Sequence, residues 1–132
     1  RLVECAWWPK DTLEPDALPA AFADRSTWHW RQLIELPAGA AERIALAAID
    51  EARRAADRDV ALVRFMAYTE GAAAQLLHVG PRSLEPASVH KLYGDILAAG
   101  LHPDGRLHAL TLADPDAAPR GVGRSIFRQP VA

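Results

Sequence analysis

Ala72-Ala73-Ala74-Gln75-Leu76-Leu77-His78-Val79-Gly80-Pro81, continued by Ser83, Glu85-Pro86 and an apolar run that closes at Gly100, is the stretch that decides the fold. Ala72 to Val79 has strand character. Gly80-Pro81 ends it, since proline removes a ladder donor and glycine admits a turn. Ser83 is placed to cap a helix, and Glu85 and Pro86 suit its first turn. Val89, Leu92, Tyr93, Ile96 and Leu97 recur at helical spacing as an apolar stripe. Gly100 suits the position after a helix, with Leu101 placed to pack back on the last turn. His102-Pro103-Asp104-Gly105 is turn chemistry and leads into a strand over Leu107 to Leu112. Asp114 to Gly123 reads as a loop and Ser125 to Val131 as a final strand.

Upstream, Ala61 to Thr69 alternates, with Val63, Phe65 and Ala67 on one face and Met66 and Tyr68 on the other, which predicts a strand up to the Glu70-Gly71 break. Residues 38 to 57 are rich in alanine and predict an amphipathic helix. Trp28 to Leu36 predicts a strand stopped by Pro37. Residues 11 to 26 predict a surface loop with one helical turn near Leu18 to Phe22. Val3 to Trp8 predicts a first strand, ended by Pro9. Strands in runs with intervening helices indicate an α+β sandwich of two layers.

The chain has 132 residues, half of them hydrophobic, enough for one domain with a real core. Its net charge of −2 offers no basic excess to neutralise a phosphate backbone, so nucleic acid is not the expected partner. The single cysteine, Cys5, excludes an internal disulfide. No apolar run has the length of a membrane span, and a reducing, cytoplasmic setting is the default. The five histidines are scattered over different elements, so no metal site is expected. Gly121-Val122-Gly123 leads into a strand rather than a helix and is no phosphate loop. No nucleophile elbow surrounds Ser125 or Cys5. No cofactor is called for.

The four tryptophans carry more information, because all lie in two neighbouring predicted strands. Aromatic core packing is the plain explanation. Strand alternation complicates it: Trp7 and Trp8 must point to opposite faces, while Trp28 and Trp30 share one. One of the first pair therefore needs cover from outside that core, and a planar apolar ligand would supply it, as would a loop or a partner chain.

Three segments together resemble the GyrI-like small-molecule-binding family, whose fold is shared with effector domains of multidrug-sensing transcription regulators. They are Val3-Glu4-Cys5-Ala6-Trp7-Trp8 with Trp28-His29-Trp30 and Ile34 to Pro37; Glu70-Gly71 with Gln75 to Pro81 and Glu85-Pro86; and Gly105 to Pro115 with Ile126-Phe127-Arg128-Gln129-Pro130-Val131. The resemblance implies duplicated β-α-β-β units forming a curved antiparallel sheet, helices on one face and a central ligand groove. It makes residues 1–57 the remainder of the first unit plus a linking helix, and 58–132 the second unit. The opening strand and helix of the first unit would then lie before Arg1. A sheet edge and an apolar face left open by their absence would be repaired by pairing with a second copy, which admits a homodimer.

Where family members similar to this chain read His-His-Glu-Ile-Tyr-Leu, this one reads Leu107-His108-Ala109-Leu110-Thr111-Leu112. By alternation, Leu107, Ala109 and Thr111 replace the family's His, Glu and Tyr on the pocket face. The Glu serves cationic ligands, and in members that hydrolyse cyclopropane-bearing natural products it is tied to catalysis. Ala109 can do no acid–base work. Among Glu4, Glu35 and Glu70, Glu4 is the best substitute acid, though a solvated strand-end carboxylate is its plainer role. Tyr68 is a candidate phenol for the pocket.

The expected function is therefore binding of a bulky, largely apolar or aromatic small organic molecule, for sequestration or sensing, in a groove lined by Trp7, Trp8, Trp28, Trp30, Tyr68, Leu107, Ala109 and Thr111. The alternatives are a cofactor-free cyclopropanoid hydrolase, with Glu4 as the candidate acid, and an effector-binding partner of a transcription regulator.

Overall fold

The computed structural model describes residues 3–11, 14, 17–55, 60, 62–114, 116–117 and 122–132. Its elements are β1 (Val3–Trp8), α1 (Leu18–Ala21), β2 (His29–Leu33), α2 (Glu42–Ala55), β3 (Ala73–Gly80), α3 (Glu85–Ala98), β4 (Leu107–Ala113) and β5 (Gly123–Pro130). The fold is α+β, with a five-stranded, wholly antiparallel open sheet in the order β2-β1-β4-β5-β3. The chain forms two compact units. Arg1–Ile34 and Glu70–Ala132 carry the whole sheet, and Glu35–Thr69 carries α2.

The decisive stretch folds as a strand, a turn and a helix. β3 ends at Gly80, and a 3₁₀ turn over Arg82–Leu84 runs straight into α3. Ser83 lies inside that turn, so it does not cap the helix; the capping residue is Leu84, with no side-chain bond. The continuous turn already engages the backbone groups that a serine cap would have served. Glu85 and Pro86 do open the helix. Val89, Leu92, Tyr93 and Ile96 are buried at i, i+3, i+4 and i+7, whereas Leu97, at the margin of the stripe, is 44% exposed. Gly100 takes φ of 73°, and the Leu101 N–H bonds back to the Ile96 carbonyl, closing the helix.

The core joins these α3 residues to Phe22, Trp28, Leu107 and Phe127, with Trp7, Leu76 and Ala109 packed at its border. Phe22 makes edge contacts with Trp28 and Phe127 at centroid separations of 5.8 and 5.5 Å. Tyr93 donates its hydroxyl hydrogen to Gln129 Oε1 at 2.7 Å, and the Gln129 amide nitrogen donates to Gly105 and Pro130 carbonyls, so this buried polar pair is satisfied. Glu85 is also buried, and Arg25 neutralises it at 2.9 Å.

Three further segments differ from the sequence expectation. Residues 62–69 form no strand: alternation marks an extended segment, but a strand also needs a paired edge, and none of the β-pairings includes them. Their neighbour Ala61 lies outside the described residues. α2 starts at Glu42 rather than 38, because Gly39 turns the backbone with φ of 84°. The ends of the predicted helix, Ala56 and Asp57, are outside the described residues. β2 stops at Leu33, its last partner on β1 being Glu4, and so ends before Pro37 could terminate it.

Candidate functional site

Antiparallel register decides which side chains share a face, because directly paired residues point the same way. Trp30 pairs with Trp7, and Trp7 with Leu107. In the next row, Gln32, Cys5, Ala109 and Phe127 run across β2, β1, β4 and β5. A third row sets Val3, Thr111, Ser125 and His78 side by side. Leu107 and Phe127 belong to the core with α3, so these rows lie on the helix-bearing side of the sheet.

That side changes character from β3 to β2. Phe127 and Leu107 are sealed at 0% and 1% exposure. Ala109, Trp7 and Cys5 are half-buried, and Val3, Thr111, Gln32 and Trp30 reach solvent, Trp30 at 58%. The result is a patch with two indoles, a thiol, a methyl and a hydroxyl, and no charged residue in its three rows. Its charged margin is Arg25, whose guanidinium lies 5.2 Å from the Trp7 ring and 4.1 Å from the Phe22 ring while bound to Glu85. Burial pushes the Cys5 thiol above its ordinary value of 9.0, and the neighbouring Glu4 carboxylate adds to the rise. Cys5 is thus a protonated, weakly nucleophilic surface element at neutral pH. His78 is held between the Ser88 hydroxyl at 2.8 Å and the Pro81 carbonyl at 3.2 Å, so its ring serves the β3–α3 turn.

The predicted site residues separate accordingly. Trp7, Trp30, Ala109 and Thr111 come together on the patch. Trp28 and Leu107 are brought to the same side but buried inside the core, so they back the patch rather than line it. Trp28 precedes β2, and its edge contact with Phe22 draws it inward. Trp8 pairs with His29 on the opposite face, as alternation requires. Tyr68 belongs to the 35–69 unit and is half exposed.

Glu4 also faces away from the patch. It pairs with Leu33 and Leu110, and its carboxylate accepts a hydrogen bond from Nδ1 of His108. Sequence reasoning missed His108 because nothing local marks it; only register across β1 and β4 brings residues 4 and 108 together. The Arg25–Glu85 pair was missed for the same reason. Among the described residues, no group of three or more His, Cys, Asp or Glu could hold a metal ion, and no helix is long and apolar enough to cross a membrane.

No protein-family profile matches the chain, and no curated protein does so at a significant level. Solved structures do. Over 99% of this chain, an uncharacterized conserved protein from Listeria innocua superposes with a TM-score of 0.79 at 27% identity. Two hydrolase structures from the same organism superpose with TM-scores of 0.75 and 0.77 at 26% identity. The chain spans 62–63% of the length of these neighbours.

Proposed function

We propose that this chain binds a bulky, largely apolar or aromatic small molecule on the helix-bearing side of its sheet, as the small-molecule-binding resemblance implies. The observation that carries this reading is the patch of Trp7, Trp30, Cys5, Ala109 and Thr111. Two indoles flank an uncharged floor at the point where the core gives out, and a planar ligand gains burial and ring contacts there without desolvating a charge. The absence of a carboxylate from the patch rows favours neutral over cationic ligands. A titration following indole fluorescence with hydrophobic dyes and drug-like aromatics tests it. Saturable quenching that weakens about tenfold in Trp30→Ala supports the reading, by analogy with aromatic anchors at interfaces. A broad panel with no saturable change overturns it.

The hydrolase neighbours favour a second reading, in which the chain is a hydrolase; the family resemblance supplies its substrate class, strained electrophiles such as cyclopropanoids. The Glu4–His108 pair is its acid–base candidate, a carboxylate and an imidazole hydrogen-bonded across β1 and β4. Because this pair is on the face opposite the patch, the two readings predict different variants. Ring-opened product that disappears in Glu4→Gln and His108→Gln but persists in Trp30→Ala would establish hydrolysis on that face. No product from the unaltered protein would remove the reading.

A further inference from the structure

The face that carries Glu4 and His108 ends in a cationic cluster built on one indole. Trp8 is half-buried, with the Arg106 guanidinium 3.6 Å from its ring centroid, Arg31 at 6.0 Å and the His29 ring stacked at 5.8 Å. Register accounts for the convergence. His29 is the direct partner of Trp8, Arg31 pairs with the adjacent Ala6, and Arg106 precedes Leu107, the partner of Trp7.

Three other arginines of the sheet-bearing unit are paired with carboxylates, whereas Arg124 on β5 forms no ion pair among the described residues. Arg25 is paired with Glu85, Arg82 with Asp114 and Asp116, and Arg128 with Glu70. Arg31 and Arg106 form no ion pair with a carboxylate among the described residues, and both are exposed beside the same ring. Two guanidiniums drawn to one indole repel each other, and a shared anion removes that repulsion while using donors the ring does not engage. This concentration of positive charge stands out in a chain whose net charge is −2.

We infer that Trp8, Arg31, Arg106 and His29 form an anion-binding site, separate from the patch, for the carboxylate or phosphate group of a small molecule. The arginines supply the charge-assisted hydrogen bonds, and Trp8 holds Arg106 in place so that less freedom is lost on binding.

The test uses the whole chain, isotope-labelled, and follows the four indole N–H resonances, with that of Trp8 assigned through Trp8→Phe. Benzoate, inorganic phosphate and the neutral isostere benzamide are titrated at constant low ionic strength, with sodium chloride as the control. The expected result is a saturable shift at Trp8 with benzoate, phosphate or both, at least tenfold weaker in the Arg31→Gln/Arg106→Gln double variant. Saturation by benzoate alone identifies a carboxylate ligand, and by phosphate alone a phosphate ligand. A Trp8 shift that benzamide or chloride reproduces, one that survives in the double variant, or none at all overturns the site. Both substituted positions are exposed, so the variant should fold, and unchanged Trp28 and Tyr93 resonances verify that it has.

Discussion

The β5–β3 side of the sheet and the β1–β2 side are made by the same alternation and come to opposite ends. On β5 every second residue is buried: Gly123, Ser125, Phe127 and Gln129. On β2 none is, and its four outer positions are all exposed. The difference lies in what the alternate positions meet. Phe127 faces a helix whose apolar stripe is in register with it, while Trp30 lies beyond the reach of the core cluster. One side therefore holds the stability of the sheet-bearing unit, and the other presents large apolar side chains that can gain burial from a ligand. Substitutions on the two sides should separate these properties.

The largest effect belongs to Phe127→Ala. Its ring is fully buried between Phe22 and His78, and its loss removes transfer energy and leaves a cavity, so a cost of about 3–5 kcal/mol is expected in denaturant unfolding. A loss below about 1 kcal/mol would mean that the core does not hold this side together.

How much of this contrast was legible depended on how far apart the deciding residues lie. α3 could be read almost entirely, because Glu85-Pro86, the stripe from Val89 to Ile96 and Gly100 act within one or two turns. The opposite orientation of Trp7 and Trp8 was legible from alternation alone. The fates of Trp28 and Trp30 were not: they were expected to act together, yet the first turns into the core and the second stays in solvent, because Phe22 arrives from another segment. Glu4 was selected as a candidate for its strand, but its face follows from pairing with β4, a contact over 104 positions. The segment 62–69 shows the converse failure, a sound local pattern with no paired edge to complete it.

Tyr93→Phe probes the same buried side more gently. It keeps the ring and deletes only the hydroxyl, leaving Gln129 Oε1 buried without its donor, for an expected cost of about 1–3 kcal/mol. The double variant with Gln129→Leu should recover part of the loss, since the unsatisfied acceptor goes as well. Additive losses instead would show that the pair is not coupled. On the other side, Trp30→Ala should change unfolding free energy by no more than about 0.5 kcal/mol, as an exposed residue, while weakening aromatic ligands. A large stability loss there would make Trp30 a packing residue and erase the contrast.

The smallest effect concerns the floor of the patch. Cys5 has its thiol pushed above 9.0 chiefly by burial and secondarily by Glu4. Because the folded value exceeds the unfolded one, the associated stability is complete below the unfolded value and is lost as pH rises through the folded value. Thiolate, the form that alkylating agents attack, is correspondingly scarce at neutral pH. Iodoacetamide should modify Cys5 more slowly in the folded protein than in urea, with a rate that climbs only in alkaline buffer. Glu4→Gln removes the lesser cause and leaves the greater, so the profile should move toward lower pH without reaching that of the unfolded chain. A folded profile already matching the urea one would mean that water reaches Cys5 freely. The patch would then lack the apolar floor that distinguishes it from the rest of the exposed sheet.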